Sequence, residues 1–201
     1  MRLLFGRRAA AASKALLRPR IMRPLTTEVA PRFPYEVVKD DEGMEKLAET
    51  LSNAKWCALD TESNSRFAYR EQVCLVQLNI EGKLYVVDPL EHTDPQKLFA
   101  PLQQPLENPD QTCLVHGGEY DVQCFKRDFS ISLKGVFDTQ QAASFLGWPK
   151  TGYAAVVGAI TGISLPKSFQ LYDWGKRPLD PGALRYALDD VIFLPRVAEV
   201  L

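Results

Sequence analysis

The chain has 201 residues, 46% of them hydrophobic and 24% charged, a balance that predicts one globular domain with a substantial core. No run of eighteen apolar residues occurs, which argues against a helical membrane span. The formal net charge is −1, and the acidic balance left once the basic first 27 residues are set aside argues against a broad surface for nonspecific duplex binding. The first 27 residues carry Arg2, Arg7, Arg8, Lys14, Arg18, Arg20 and Arg23 but no acid, so the rest of the chain bears −8. Such an Arg-, Ala- and Leu-rich stretch matches an organellar transit peptide, and its few hydroxyl residues favour mitochondria over plastids, with nuclear delivery as a further alternative. A basic arm touching nucleic acid or a partner is the competing reading. Pro24, Pro31 and Pro34 then mark a linker, dividing the chain into a leader and linker over residues 1–31 and a folded domain over residues 32–201.

Residues 41–54 place Met44, Leu47 and Leu51 at helical spacing and lead into an apolar strand over residues 55–60. Residues 72–80 and 83–88 read as strands joined at Glu81-Gly82, so three antiparallel strands are expected to open the sheet. Residues 112–115 form a short apolar strand, followed by glycines and a helix carrying Asp121 and Phe125. Asp138 with Thr139 is an N-cap for a helix reaching Phe145, which Gly147-Trp148-Pro149 ends. Helices over residues 153–160 and 182–200 follow, the second kinked at Pro195. The succession is mixed α/β. Cys57, Cys74, Cys113 and Cys124 fall in apolar stretches without a C-x-x-C pair and are expected as buried, reduced thiols.

Four acids and one tyrosine stand out against this background. Asp60 and Glu62, in Ala58-Leu59-Asp60-Thr61-Glu62, lie two apart at the end of a strand and project from the same face. Asp121 closes His116-Gly117-Gly118-Glu119-Tyr120-Asp121, and Tyr186 precedes Asp190 by four residues on an apolar-periodic stretch, so phenol and carboxylate share a helical face. Each residue alone has an ordinary structural reading. Together they form a cluster of carboxylates, which repel one another and resist ionisation unless a cation sits among them. Oxygen ligands without clustered His or Cys favour magnesium or manganese over zinc, and a two-ion site suits in-line attack on a phosphodiester. Hydrolysis of nucleic acid is the chemistry this implies.

Between Lys167 and Arg177, cations alternate with Phe169, Tyr172 and Trp174, a mix that can hold phosphates and stack bases. Lys167, Gln170, Trp174 and Arg177 are therefore candidate substrate contacts, with ordinary core packing of Tyr172 and Trp174 as the alternative. His116 is expected to brace the turn before Asp121, and His92 to be exposed. Asp189 lacks the Tyr-x-x-x-Asp spacing and is expected to face solvent.

These motifs, in this order and at these spacings, resemble the DEDD exonucleases, in the branch with a tyrosine in the third motif typified by ribonuclease D and the catalytic exonuclease of the nuclear exosome. The resemblance runs from about Trp56 to the end and extends to Phe137-Asp138-Thr139 and to the block from Lys167 to Leu179. It implies a ribonuclease H-like fold with a mixed central sheet flanked by helices, and removal of nucleotides from a 3′ end. It also implies that Asp60, Glu62, Asp121 and Asp190 bind two divalent ions, Mg2+ or Mn2+, while Tyr186 positions the attacking water. The expected activity is a 3′-5′ exoribonuclease acting on single-stranded RNA ends. A DNA 3′-5′ exonuclease and a catalytically silent nucleic-acid-binding scaffold are the alternatives. Two positions depart from the pattern of the nuclear-exosome relatives, Ser63 in place of histidine and Cys124 in place of tryptophan. The sequence continues eleven residues past Asp190, so the helicase-and-ribonuclease-D C-terminal domain of several relatives lies outside it.

Overall fold

The computed structural model describes residues 33–201, so the leader and linker expected over residues 1–31 lie outside the described residues. Strand β1 (Tyr35–Val38) leads into helix α1 (Asp41–Ser52), which starts where the Asp40 carboxylate accepts a hydrogen bond from the Gly43 N–H at 2.8 Å. Met44, Leu47, Ala48 and Leu51 recur at helical spacing and are buried. Strands β2 (Trp56–Ser63), β3 (Val73–Ile80) and β4 (Lys83–Val87) form the expected antiparallel set. Glu81 and Gly82 both adopt positive φ, 47° and 93°, the conformation a two-residue hairpin loop needs to match strand twist.

The sheet has six strands in the order β1-β4-β3-β2-β5-β6, where β5 is Thr112–Val115 and β6 is Val136–Asp138. β1 runs parallel to β4, β5 parallel to β2, and β6 parallel to β5, making the sheet mixed. The two edge strands were not anticipated from sequence because β1 exposes three of its four residues and β6 has only three residues, two of them exposed, so neither presents the apolar run that marked β5. Every residue of β3 is buried, since helices cover both faces of the sheet at its centre.

One face packs against α1, α2 (Pro95–Phe99), α3 (Gln103–Leu106) and α4 (Glu119–Phe129), with Phe99 stacked on Phe129 at 3.7 Å. The small helices α2 and α3 are also additions to the sequence reading. Helices α5 (Thr139–Phe145), α6 (Tyr153–Thr161) and α8 (Leu194–Ala198) share a smaller cluster around Ala143, Val156, Val157 and Val197. Helix α7 (Pro181–Ile192) covers the opposite face of the sheet.

The single kinked helix expected over residues 182–200 is two helices, α7 and α8, separated at Phe193. Pro195 has no N–H to give to the Val191 carbonyl, and its ring crowds that carbonyl. The Asn79 side-chain amide donates to it instead, at 3.1 Å, tying the end of α7 to β3. All four cysteines are free and buried, and burial pushes the Cys74 thiol up to about 11, so it stays protonated. Among the described residues no helix is long and apolar enough to cross a membrane.

Candidate active site

Asp60 and Glu62 leave β2 on the face that looks towards α7, the same face as the buried Ala58. On α7, Asp180 caps the first turn by accepting from the N–H groups of Gly182 and Ala183, with Pro181 as the first helical residue. Ala183, Ala187 and Val191 are buried against the sheet. Their small contact surface brings Tyr186 and Asp190 close to the strand. Ligand oxygens of Asp60, Glu62 and Asp190 accordingly lie within 4.8 Å of one another.

Asp121 reaches the site from the first turn of α4. The backbone turns sharply into that helix through Gly117, at φ +67°, and through Gly118, where a Cβ would fall 2.5 Å from Val115 Cγ2. The Asp138 carboxylate holds the turn, accepting from the N–H groups of Gly117 and Gly118 at 2.9 and 3.0 Å while also capping α5 through Gln140. Burial alone would raise the pKa of Asp138, but donation from Gly117, Gln141, Gln140 and Gly118 together keeps it below the ordinary carboxylate value. His116 braces the same turn through Nδ1 and the Thr139 hydroxyl, 2.8 Å apart, and that hydroxyl donates to the Val115 carbonyl.

Asp121 is buried and accepts a 2.5 Å hydrogen bond from the Thr61 hydroxyl. It stands beside the tight trio, close enough for its charge to raise the pKa of Asp60, Glu62 and Asp190. Desolvation is the larger cause for each of the three, followed by repulsion from neighbouring carboxylates, led by Asp121 for Asp60, Asp190 for Glu62 and Asp189 for Asp190. Asp60 lies well above the ordinary carboxylate range, Glu62 is pushed up to about 9, and Asp190 up to about 7. Without a cation, the site holds protons at neutral pH.

The donor set fits a hard divalent cation. It offers carboxylate oxygens only, with no thiolate or imidazole in the group of ligands. A further observation agrees. Gln77 pairs directly with Asp60 across β2 and β3, so the two side chains share a face, and both polar atoms of its fully buried amide lack a hydrogen-bond partner. Sequence reasoning did not single out Gln77; a polar residue in the middle of an otherwise apolar strand was the available signal.

The four expected substrate contacts divide into two pairs. Lys167 and Gln170 line a cleft of about 210 Å³ together with Tyr153, Leu165, Tyr186 and Asp190, and Gln170 hydrogen-bonds to the Tyr186 hydroxyl. Trp174 and Arg177 belong to the framework instead. Trp174 is 3% exposed, its ring 5.1 Å from that of Tyr172 and 6.4 Å from that of Tyr186, so it offers no face to a base. Arg177 donates from Nε and Nη2 to Asp88, from Nη1 to the Trp174 and Lys176 carbonyls, and again from Nη2 to the Cys74 carbonyl. All five guanidinium donors are used, leaving none for a phosphate.

Two further expectations need correction. Asp189 does not simply face solvent; it is half-buried and lines the same cleft as Asp190, while its backbone carbonyl accepts from the Tyr153 hydroxyl at 3.0 Å. His92 is largely covered, its side chain 19% exposed, with Nδ1 accepting from the Asp94 N–H and Nε2 3.3 Å from Asp41.

Comparison with known proteins places this geometry in context. Residues 35–201 match the family profile described as 3′-5′ exonuclease. Ribonuclease D of Escherichia coli is 34% identical over 169 residues, covering 83% of this chain and 44% of that protein. Its crystal structure aligns with a TM-score of 0.75 at 32% identity over 83% of this chain and 44% of that one. The catalytic core of RRP6 from Trypanosoma brucei aligns with a TM-score of 0.77 at 28% identity over 86% of this chain and 47% of that one. The chain spans less than half the length of these relatives.

Proposed function

We propose, on the premise that this chain belongs to the 3′-5′ exonuclease family, that it hydrolyses phosphodiester bonds at the 3′ ends of single-stranded RNA, in RNA processing or decay. The observation that carries the reading is the approach of Asp60, Glu62 and Asp190 to within 4.8 Å, with Tyr186 on the same helix as Asp190. RNA is favoured over DNA by the relatives, since the Escherichia coli enzyme is described as an exoribonuclease involved in structured RNA processing.

Asp60, Glu62, Asp121 and Asp190 would hold two divalent ions, Mg2+ or Mn2+. When bound, the ions supply Lewis-acid stabilisation of the charge that develops on the phosphodiester. The remaining work falls to the chain. Tyr186, steadied by Gln170, orients the attacking water by hydrogen bonding. Burial, then the charges of Asp190, Glu62 and Asp60, hold its phenol above the ordinary value, so it stays protonated at neutral pH and acts as a donor rather than a base. Lys167, exposed at the cleft, meets the phosphate backbone.

The direct test is a time course on end-labelled RNA and a matched DNA strand, with Mg2+ or Mn2+ and with chelator. Metal-dependent release of mononucleotides from the RNA 3′ end is expected. Faster digestion of DNA would select the deoxyribonuclease reading, and binding without any cleavage the scaffold reading. Tyr186→Phe lowers kcat by about 100-fold while leaving calorimetric Mn2+ affinity unchanged; an unaltered kcat removes the role assigned to the hydroxyl.

The protonation of the site sets a pH dependence. Because Asp190 and Glu62 keep protons up to about 7 and about 9, cation and proton compete, and apparent Mn2+ affinity rises from pH 6 to pH 9. Calorimetry in buffers of different ionisation heat should detect proton release on binding at pH 7, and its absence contradicts the assigned ligands. The acid-free first 27 residues support delivery to mitochondria; failure of residues 1–31 to carry a fluorescent protein there argues for a nuclear or plastid destination.

A further inference from the structure

Immediately after Glu62 the register of β2 slips, and the chain leaves the sheet to return at Val73. The excursion over residues 64–72 is firmly held at its base. The buried Asn64 donates through its N–H to the Gln72 carbonyl at 3.3 Å and accepts at Oδ1 from the Gln72 N–H at 2.9 Å. Its carbonyl accepts from both Phe67 and Ala68. Asn64 also abuts Gly175, in the segment that carries Gln170. On the other flank, the Glu71 carboxylate accepts from the Tyr120 hydroxyl at 2.7 Å and pairs with Arg127. Tyr120 in turn hydrogen-bonds to Ser63 at 3.0 Å and immediately precedes Asp121.

The tip of this anchored loop is turned outward. Tyr69 is fully exposed and Phe67 55% exposed, while Arg66 and Arg70 are exposed and form no salt bridge among the described residues. Leaving two large rings in water sacrifices burial that a loop fixed at both ends could have gained by folding inward. The chain beyond its leader carries −8, so attraction of a polyanion must come from local cations. Aromatic faces interleaved with guanidinium groups are the chemistry that holds an unpaired strand, rings stacking on bases and cations meeting phosphates.

We propose that the β2–β3 loop clamps the single strand upstream of its 3′ end, with Phe67 and Tyr69 stacking bases and Arg66 and Arg70 contacting phosphates. The clamp rests on the exonuclease reading and adds to the cleft a second surface that grips nucleotides not being cut. It makes affinity depend on strand length.

The test uses the full chain carrying Asp190→Asn, to keep the strand intact, and a fluorescein-labelled single-stranded RNA of about twelve nucleotides followed by anisotropy. Phe67→Ala with Tyr69→Ala is expected to weaken binding at least tenfold. Arg66→Ala with Arg70→Ala is expected to flatten the dependence of log affinity on log salt by about 0.7 per arginine, a change that a merely structural role would not produce. In the parent with Asp190 intact, the aromatic pair of substitutions raises KM for the long strand while kcat is retained, and raises it less for a dinucleotide. If the Asp190→Asn protein binds the long strand and both double variants bind it equally well with the same salt slope, the clamp is overturned while the nuclease reading stands. Loss of a co-purifying protein with RNA affinity unchanged overturns it equally, in favour of a protein-docking loop. A parent that neither binds nor cuts RNA removes the exonuclease reading and the clamp with it.

Discussion

Asp190→Asn abolishes nucleotide release, lowering kcat by at least about 1,000-fold, and at the same time makes the cation-free protein more stable above neutral pH. The first effect follows from removing a carboxylate from a trio whose oxygens lie within 4.8 Å, since a rate loss of that size corresponds to about 4 kcal/mol of lost charge stabilisation in the transition state. The second follows from linkage. The Asp190 carboxyl is raised from its ordinary 3.8 to about 7 by burial, then by Asp189 and Asp121, so its folded form binds a proton more tightly than its unfolded form. The stability this contributes is fully present below about pH 4 and is lost as pH rises through about 7. Asparagine cannot ionise and escapes that loss. With chelator present, melting of the variant should exceed that of the parent by about 3–6 °C at pH 8, and by little at pH 4. A pH-independent difference, or turnover equal to the parent, would sink the assignment. Asp60→Asn should behave in the same way, because its carboxyl is shifted in the same direction, by burial and then by the charges of Asp121, Asp190 and Glu62.

Arg177→Ala acts on stability and leaves the affinity of the folded protein for RNA unchanged. The guanidinium spends all its donors on Asp88 and three carbonyls, and the Asp88 side chain is only 7% exposed. Truncation leaves a buried carboxylate without its counter-charge, which costs about 3–5 kcal/mol and lowers the melting temperature by about 10 °C. Lysine does not rescue, because a point ammonium cannot reproduce a planar fork bonded to Asp88. Asp88→Asn combined with Arg177→Met should recover part of the loss by removing the unpaired charge. The contrary result, an unchanged melting temperature with weaker RNA binding, reinstates Arg177 as a substrate contact.

Much of the site was legible along the chain because its geometry is local. Asp60 and Glu62 share a face by the period of a strand, and Tyr186 and Asp190 by the turn of a helix, whatever the remainder of the protein does. The hairpin at Glu81-Gly82 and the cap at Asp138 were readable for the same reason, since a two-residue turn and a helix start depend on neighbours close in sequence. The second duty of Asp138, steadying the start of α4 through Gly117 and Gly118, was not readable, because those donors lie 21 and 20 residues away.

Composition and short-range spacing thus established a mixed α/β domain, the acidic set and the chemistry it favours. Long-range packing settled which polar groups remain available for that chemistry. Arg177 and Trp174 look from their neighbours like contacts for a nucleic acid, yet one meets an aspartate 89 residues earlier and the other is sealed beneath α7. Asp121 stands beside the trio because a threonine 60 residues away offers it a hydroxyl, and Gln77 matters because β2 sets Asp60 opposite it. A side chain's type and spacing tell what it can bond to, whereas the partner that reaches it first is fixed only when distant segments are brought together.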